Sequence, residues 1–209
     1  MIEFLFLDLD DTILDFHKAE RIALSKTIRE FGVEPTEEIL NLYHEINKWH
    51  WEQLELGKTV DAAACAKVYE KNLSIGHYFL PGAEEAVMNL HKKYRLFLAS
   101  NGTASVQKGR MTSANLYRFF EKAFVSQEIG HNKPSKAYFD ACFAQIPGFD
   151  REKAMIVGDS LTSDIRGGIN AGIKTVWVNP GHKPCGDIKP DYEIEALSQL
   201  EELLEALYG

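Results

Sequence analysis

Four apolar residues, Phe4-Leu5-Phe6-Leu7, run without interruption into Asp8-Leu9-Asp10-Asp11-Thr12. A strand that is apolar at every position has no face to give to water, so it belongs inside a sheet covered on both sides. The three carboxylates and the hydroxyl then fall at the carboxyl end of the strand, where an open parallel sheet presents its chemistry. An ordinary acidic turn or helix cap uses the same residue types. The rest of the chain has to decide between the two.

After Thr12 the apolar period changes from strand to helix. Helical spacing is expected from about 17 to 31, with Gly32 as the stop. Thr36 and the carboxylates Glu37 and Glu38 then mark the start of a helix running to about Gly57, and a third helical stretch follows over 61–73. Strand signals resume only after Pro81-Gly82. From there the chain alternates: helix 83–93, strand 94–99, helix 105–114, strand 123–126, helix 135–145, strand 154–157, a helix to Gly172, strand 175–178, a weak strand at 192–194 and a closing helix 197–207. Short, wholly apolar strands separated by helices predict an α/β fold, a doubly wound parallel sheet. Residues 1–14 and 82–209 form its core, and 15–81 are a helical insertion after the first strand.

Composition narrows the partners. A length of 209 residues with 45% hydrophobic and 26% charged residues suits a folded domain with a sizeable core. A net charge of −8 opposes a nucleic-acid polymer as partner, because that binding rests on clustered Lys and Arg. A small phosphorylated molecule needs only local positive charge. Cys65, Cys142 and Cys185 are widely spaced and odd in number, the pattern of buried thiols in a reducing compartment. Glu3 and Asp8 interrupt the first apolar run, so neither a signal peptide nor a membrane span is expected there, and the expected location is the cytoplasm.

Three polar groups end predicted strands: Asp8 to Thr12, Ser100-Asn101-Gly102, and Gly158-Asp159-Ser160 with Asp164 four residues on. Lys133-Pro134 precedes a helix. Each has an everyday reading as a turn, cap or solvated side chain, but in a doubly wound sheet all of them converge on one crevice. Carboxylates crowded without cations would be driven to protonate. A hard divalent cation with oxygen ligands removes that conflict, and Mg2+ suits a site of few carboxylates plus a phosphate oxygen. In such a crevice Asp8 can attack phosphorus, and Asp10 can protonate the leaving alcohol and later take a proton from water. Ser100 and the backbone N–H groups around Asn101 would hold phosphate oxygens, and Lys133 would neutralise charge in the transition state.

This pattern resembles the haloacid dehalogenase-like hydrolase superfamily, whose four motifs match in order: Asp8-Leu-Asp10-Asp11-Thr12, Ser100-Asn101-Gly102, Lys133-Pro134, and Gly158-Asp159-Ser160 through Asp164. The resemblance implies a Rossmann-like core, with Asp8 as nucleophile, Asp10 as acid/base and Lys133 as charge clamp. It also implies Thr12 and Ser100 as phosphate or structural contacts, with Asn101 and Gly102 beside the phosphate, and Mg2+ held by Asp8, the Asp10 carbonyl and Asp159. Asp164 and Ser160 would support that shell. The insertion looks like a type 1 cap that selects the substrate.

Asp8 through Phe16 and Trp49 through Gly57 further resemble the noncanonical pyrimidine 5'-nucleotidase branch, implying a nucleoside monophosphate as substrate. The cap is shorter than in that branch near 57–61. Phe16, His44, Lys48, Trp49, His50 and Trp51 are candidate cap contacts, with Trp49 or Trp51 offering a face for a base to stack on. Core packing between cap helices is the competing use of those rings. Phosphatase or phosphomutase action on sugar phosphates, 2-haloacid dehalogenation and a phospho-accepting signalling module are the alternatives. Asp10 opposes dehalogenation, because a departing halide needs no proton. The oligomeric state, monomer or dimer, is open.

Overall fold

In a computed structural model describing residues 1–40 and 62–209, six parallel strands form one sheet in the order β3-β2-β1-β4-β5-β6. They are β1 (Phe4–Leu7), β2 (Arg95–Ser100), β3 (Lys122–Val125), β4 (Ala154–Gly158), β5 (Lys174–Val178) and β6 (Tyr192–Ile194). Every residue of β1 is buried because alternate side chains enter different cores. Phe4 and Phe6 join an aromatic layer with Phe97, Phe124, Phe139 and Phe143. Leu5 and Leu7 join an aliphatic one with Leu96, Leu98, Met155 and Val157. The uninterrupted apolar run is therefore two interleaved stripes of period two, each feeding its own helical layer.

The chain leaves β1 for the insertion, then builds β2 and β3 outward on one side and β4, β5 and β6 on the other. Leu7 pairs with Leu98 of β2 and with Val157 of β4, so Asp8 emerges between the ends of both neighbours. Such a reversal of strand order opens a crevice at the carboxyl edge, and it lies at β1.

The inserted helices have a core of their own. In α1 (Phe16–Glu30), Asp15 accepts from Lys18 N at 2.8 Å as the N-cap, and Gly32 ends the run at φ 76°. Ala19, Ala23, Leu24 and Ile28 of α1 pack on Cys65, Tyr69 and Leu73 of α2 (Ala62–Ser74). Thr36 Oγ1 accepts from Ile39 N at 3.3 Å, and residues 37–40 are helical. The expected helix running on to Gly57, with His44, Lys48, Trp49, His50 and Trp51, and the short stretch at 57–61 lie outside the described residues.

Return to the sheet is made by α3 (Ala83–Leu90), followed by α4 (Ala104–Ser113), α5 (Ser126–Ile129), α6 (Lys136–Phe143), α7 (Arg166–Ala171) and α8 (Leu200–Tyr208). Three details differ from the sequence expectations. The single turn α5 starts directly after β3; one turn carries too little periodicity to register as a helix. A π-helical turn at Leu161–Ile165 precedes α7. Cys185 is half-buried, unlike the fully buried Cys65 and Cys142, because its loop lies outside both cores.

Asp191 fastens β6 to β5, accepting from Lys174 Nζ at 2.7 Å and from Thr175 N and Oγ1, both at 2.9 Å. Burial works against its charge, but Lys174 and Thr175 outweigh it and hold the carboxyl below its ordinary 3.8. A carboxylate with a lowered folded pKa stabilises above the unfolded value and loses that contribution as pH falls through the folded one. Asp191→Asn should therefore cost about 1–2 kcal/mol at pH 7. In urea unfolding the gap from wild type should shrink as the pH is lowered below about 4; an unchanged gap would mean that charge is not its source.

Candidate active site

Lys133 organises the crevice. Its ammonium donates to Asp8 Oδ1 at 2.7 Å, to Asp164 Oδ1 at 2.6 Å and to the Ala99 carbonyl at 2.5 Å, using all three protons while the side chain is 2% exposed. Burial alone would lower its pKa, but Asp164 and Asp8 more than offset this and hold it raised and charged. Asn101 fixes the backbone beneath it, donating from Nδ2 to the Lys133 carbonyl at 2.9 Å and accepting from Lys133 N at 2.8 Å. A lysine that reads from sequence as a solvated side chain is thereby locked between two strand ends.

Asp164 reaches back toward β4 from the π-helical turn, its Oδ2 accepting from Ser160 N at 3.1 Å. Gly158 makes room for it: a Cβ there would lie 2.3 Å from Asp164 Cγ. Only glycine at the end of β4 admits that approach. Ser160 caps the turn, accepting from Ser163 N at 3.2 Å. Asp159 is held by its backbone, whose carbonyl accepts from Trp177 Nε1 at 2.8 Å.

Asp8, Asp159 and Asp164 each place a carboxylate oxygen within 4.8 Å of the others. Burial, with Asp164 and Asp11 adding to it, raises Asp159 to about 7. Burial likewise raises Asp8 against the pull of Lys133, with Asp164 and Asp10 pushing the same way. One ammonium faces more negative charge than it balances. The donors left over are hard oxygens, and that donor set fits a divalent cation such as Mg2+.

The turn after β1 separates the other two carboxylates. Asp11 takes the left-handed conformation, φ 55°, and its Oδ1 accepts from Phe16 N at 2.9 Å, so it shapes the exit into α1. Asp10 instead points to α4: Oδ2 accepts from Gln107 Nε2 at 2.7 Å, and Oδ1 pairs with Arg110 Nη1. Neither Gln107 nor Arg110 stood out in the sequence. Their spacing of three on α4 carries the signal, since it puts two polar side chains on a buried helix face.

Two of the expected phosphate or structural contacts have partners within the fold. Ser100 Oγ is buried and accepts from Gln107 Nε2 at 2.8 Å, and Gly102 N already donates to Ser126 Oγ at 3.0 Å. Thr12 is buried, and its Oγ1 has no hydrogen-bond partner among the described residues. Trp49 lies outside them.

A cavity of about 190 Å³ is lined by Asp8, Asp10, Asn101, Lys133, Asp159 and Ser160. Against it, on the Asp10 side, a second cavity of about 120 Å³ lies between α2 and α4, lined by Phe16, Tyr69, Glu70, Leu73 and Val106. A larger one, about 460 Å³, opens on the opposite side beneath Asp11, Trp177 and Lys183. A group beside Asp8 is thus flanked by the Asp10 carboxylate on one side and by those of Asp159 and Asp164 on the other.

The doubly wound parallel sheet carries its carboxylate and lysine centre at its switch point, where an α/β enzyme of this architecture places its active site. The chain belongs to the haloacid dehalogenase-like hydrolases, the family whose sequence profile matches residues 5–178. It is 36% identical over 221 residues to the putative HAD-hydrolase YfnB of Bacillus subtilis (strain 168), covering 96% of this chain and 94% of that protein. Identity to the pyrimidine 5'-nucleotidase PynA of Streptococcus pneumoniae is 33% over 225 residues, covering 97% and 95%. The crystal structure of YfnB bound to magnesium superposes with a TM-score of 0.86 at 35% identity, covering 100% of this chain and 99% of that one. Among the described residues no helix is long and apolar enough to cross a membrane.

Proposed function

We propose that this hydrolase is a Mg2+-dependent phosphomonoesterase that acts through an aspartyl phosphate on nucleoside 5'-monophosphates. The observation that carries the chemistry is the buried Lys133 ammonium set between Asp8 and Asp164 at the strand ends. Lys133 orients the Asp8 carboxylate, whose free oxygen attacks phosphorus as the ester oxygen departs. Asp10 gives that oxygen its proton and afterwards takes one from the water that attacks the phosphoenzyme. Asp8, the Asp10 carbonyl and Asp159 would hold Mg2+, which supplies positive charge for the phosphate oxygens. Asp164 and Ser160 keep Lys133 and the loop beneath Asp159 in place.

Residues 15–81 serve as the cap of this reading, with 1–14 and 82–209 as the core. The leaving group belongs in the cavity beside Asp10, where Phe16 and Tyr69 offer aromatic surface. Nucleotide substrates are supported by the relatives named as pyrimidine 5'-nucleotidases, PynA and the 29% identical YjjG of Escherichia coli (strain K12).

A panel of phosphorylated metabolites assayed with Mg2+ and with EDTA tests the reading. Nucleoside monophosphates are expected to show the highest kcat/KM, and EDTA is expected to remove the activity. Sugar phosphates turned over equally well would defeat the substrate assignment, and undiminished rates in EDTA would defeat the metal.

A further inference from the structure

The Arg110 side chain in α4 is fully buried, a place where a guanidinium is costly unless its donors are used. One of them pairs Nη1 with Asp10 Oδ1. Another, Nε, donates at 3.0 Å to the carbonyl of Gly76, on the segment by which the chain returns from α2 to the core. The ring of Phe16, where the chain leaves for α1, has its centroid 5.5 Å from the guanidinium carbon. One side chain therefore touches both connections to the inserted helices and the carboxyl group assigned to proton transfer.

The return segment sits on α4 with little slack. A Cβ at Gly109 would lie 2.6 Å from Ser74 Cβ, and one at Gly76 would lie 2.8 Å from Ala19 Cβ. Ser113 Oγ, one turn beyond Arg110, donates to the Ile75 carbonyl at 3.0 Å. Gln107 completes the grip on Asp10 by donating to its second oxygen.

We propose that Arg110 is a positioning residue that couples the seating of the inserted helices to the direction of the Asp10 carboxyl group, through the Gly76 carbonyl. The coupling rests on the phosphomonoesterase reading above. A guanidinium is a rigid planar fork, so a shift of the carbonyl at Nε swings Nη1 and the carboxylate it holds. Proton donation requires that carboxyl within roughly 2.6–3.2 Å of the leaving oxygen. A displacement of about 1 Å at the return segment is then enough to misplace it. The competing account is a buried ion pair that only fills space.

The two accounts differ in which substrates suffer. kcat/KM covers the steps up to departure of the leaving group, so an acid out of place harms an alkyl ester with a poor leaving group far more than an aryl ester with a good one. Wild type, Arg110→Met and Gly76→Ala would be compared on a nucleoside 5'-monophosphate and on p-nitrophenyl phosphate in Mg2+, with Asp10→Asn as reference. Both variants are expected to lose roughly ten- to hundredfold on the nucleotide and less than about threefold on the aryl ester, a smaller version of the Asp10→Asn signature. Gly76→Ala pushes the return segment off Ala19 and keeps both the Arg110 and Asp10 side chains chemically intact, so it answers the question even if Arg110→Met does not fold. Equal losses on both esters, or a wild-type ratio in Gly76→Ala, would overturn the coupling. A wild-type chain inactive on both esters would instead overturn the phosphomonoesterase reading and the coupling with it.

Discussion

Asp8→Asn should lower kcat by roughly 10⁴- to 10⁶-fold, the scale seen when a covalent nucleophile is removed. The amide keeps the shape of the carboxylate and can still accept from Lys133 Nζ, now 2.7 Å from Asp8 Oδ1, so the fold has no reason to weaken. It also removes one of the carboxylates that crowd Asp159 and Asp164. Thermal unfolding in the absence of metal is therefore expected at or above the wild-type temperature, the usual trade of stability against activity at a strained site. Single-turnover mixing with radiolabelled substrate should trap a phosphoenzyme in wild type and none in the variant. A variant that retains more than about a hundredth of the rate would remove Asp8 from the role given to it.

Lys133→Met has the second largest expected effect, and it falls on both stability and rate. Asp8 and Asp164 each lose a bond of less than 2.8 Å inside a site where the lysine is 2% exposed. Removing one partner of a buried ion pair costs about 3–5 kcal/mol, because the remaining charge is left without compensation. The loss of transition-state charge balance should lower kcat by roughly 10²- to 10³-fold. Chemical denaturation and initial rates measure the two separately. A stability change below about 1 kcal/mol would show that the carboxylates find other partners.

Much of this arrangement is legible in the linear chain. The unbroken apolar run in β1 requires a strand covered on both faces, and three of the four motifs begin where such runs end, after Leu7, Ala99 and Val157. Their convergence follows from the way parallel sheets are wound, with no knowledge of contacts. Asp11 is the one of the three carboxylates to which the resemblance gives no chemical role, and its left-handed backbone and the bond it accepts from Phe16 N put it at the turn into α1. The second motif was harder to read. Ser100 and Gly102 stand where phosphate donors are wanted, yet their polar atoms face Gln107 and Ser126. Side-chain direction within a loop depends on partners far away in sequence, which spacing does not encode.

Arg110 shows the same limit. A lone arginine on a helix ordinarily reads as a solvated charge. Its burial depends on where the return segment crosses α4, a contact spanning 34 residues to Gly76 and 100 to Asp10. The sequence by itself indicated the parallel sheet and, with the family resemblance, the carboxylates and lysine at its carboxyl edge, because local apolar periodicity marks the strands and where they end; the strand order that puts the crevice at β1 belongs to the fold. Only the tertiary structure decided which partner holds each of the three carboxylates after β1. Asp8 turns to Lys133, Asp11 to the start of α1, and Asp10 to Gln107 and Arg110, because each is set by a hydrogen-bond donor brought in from a different element.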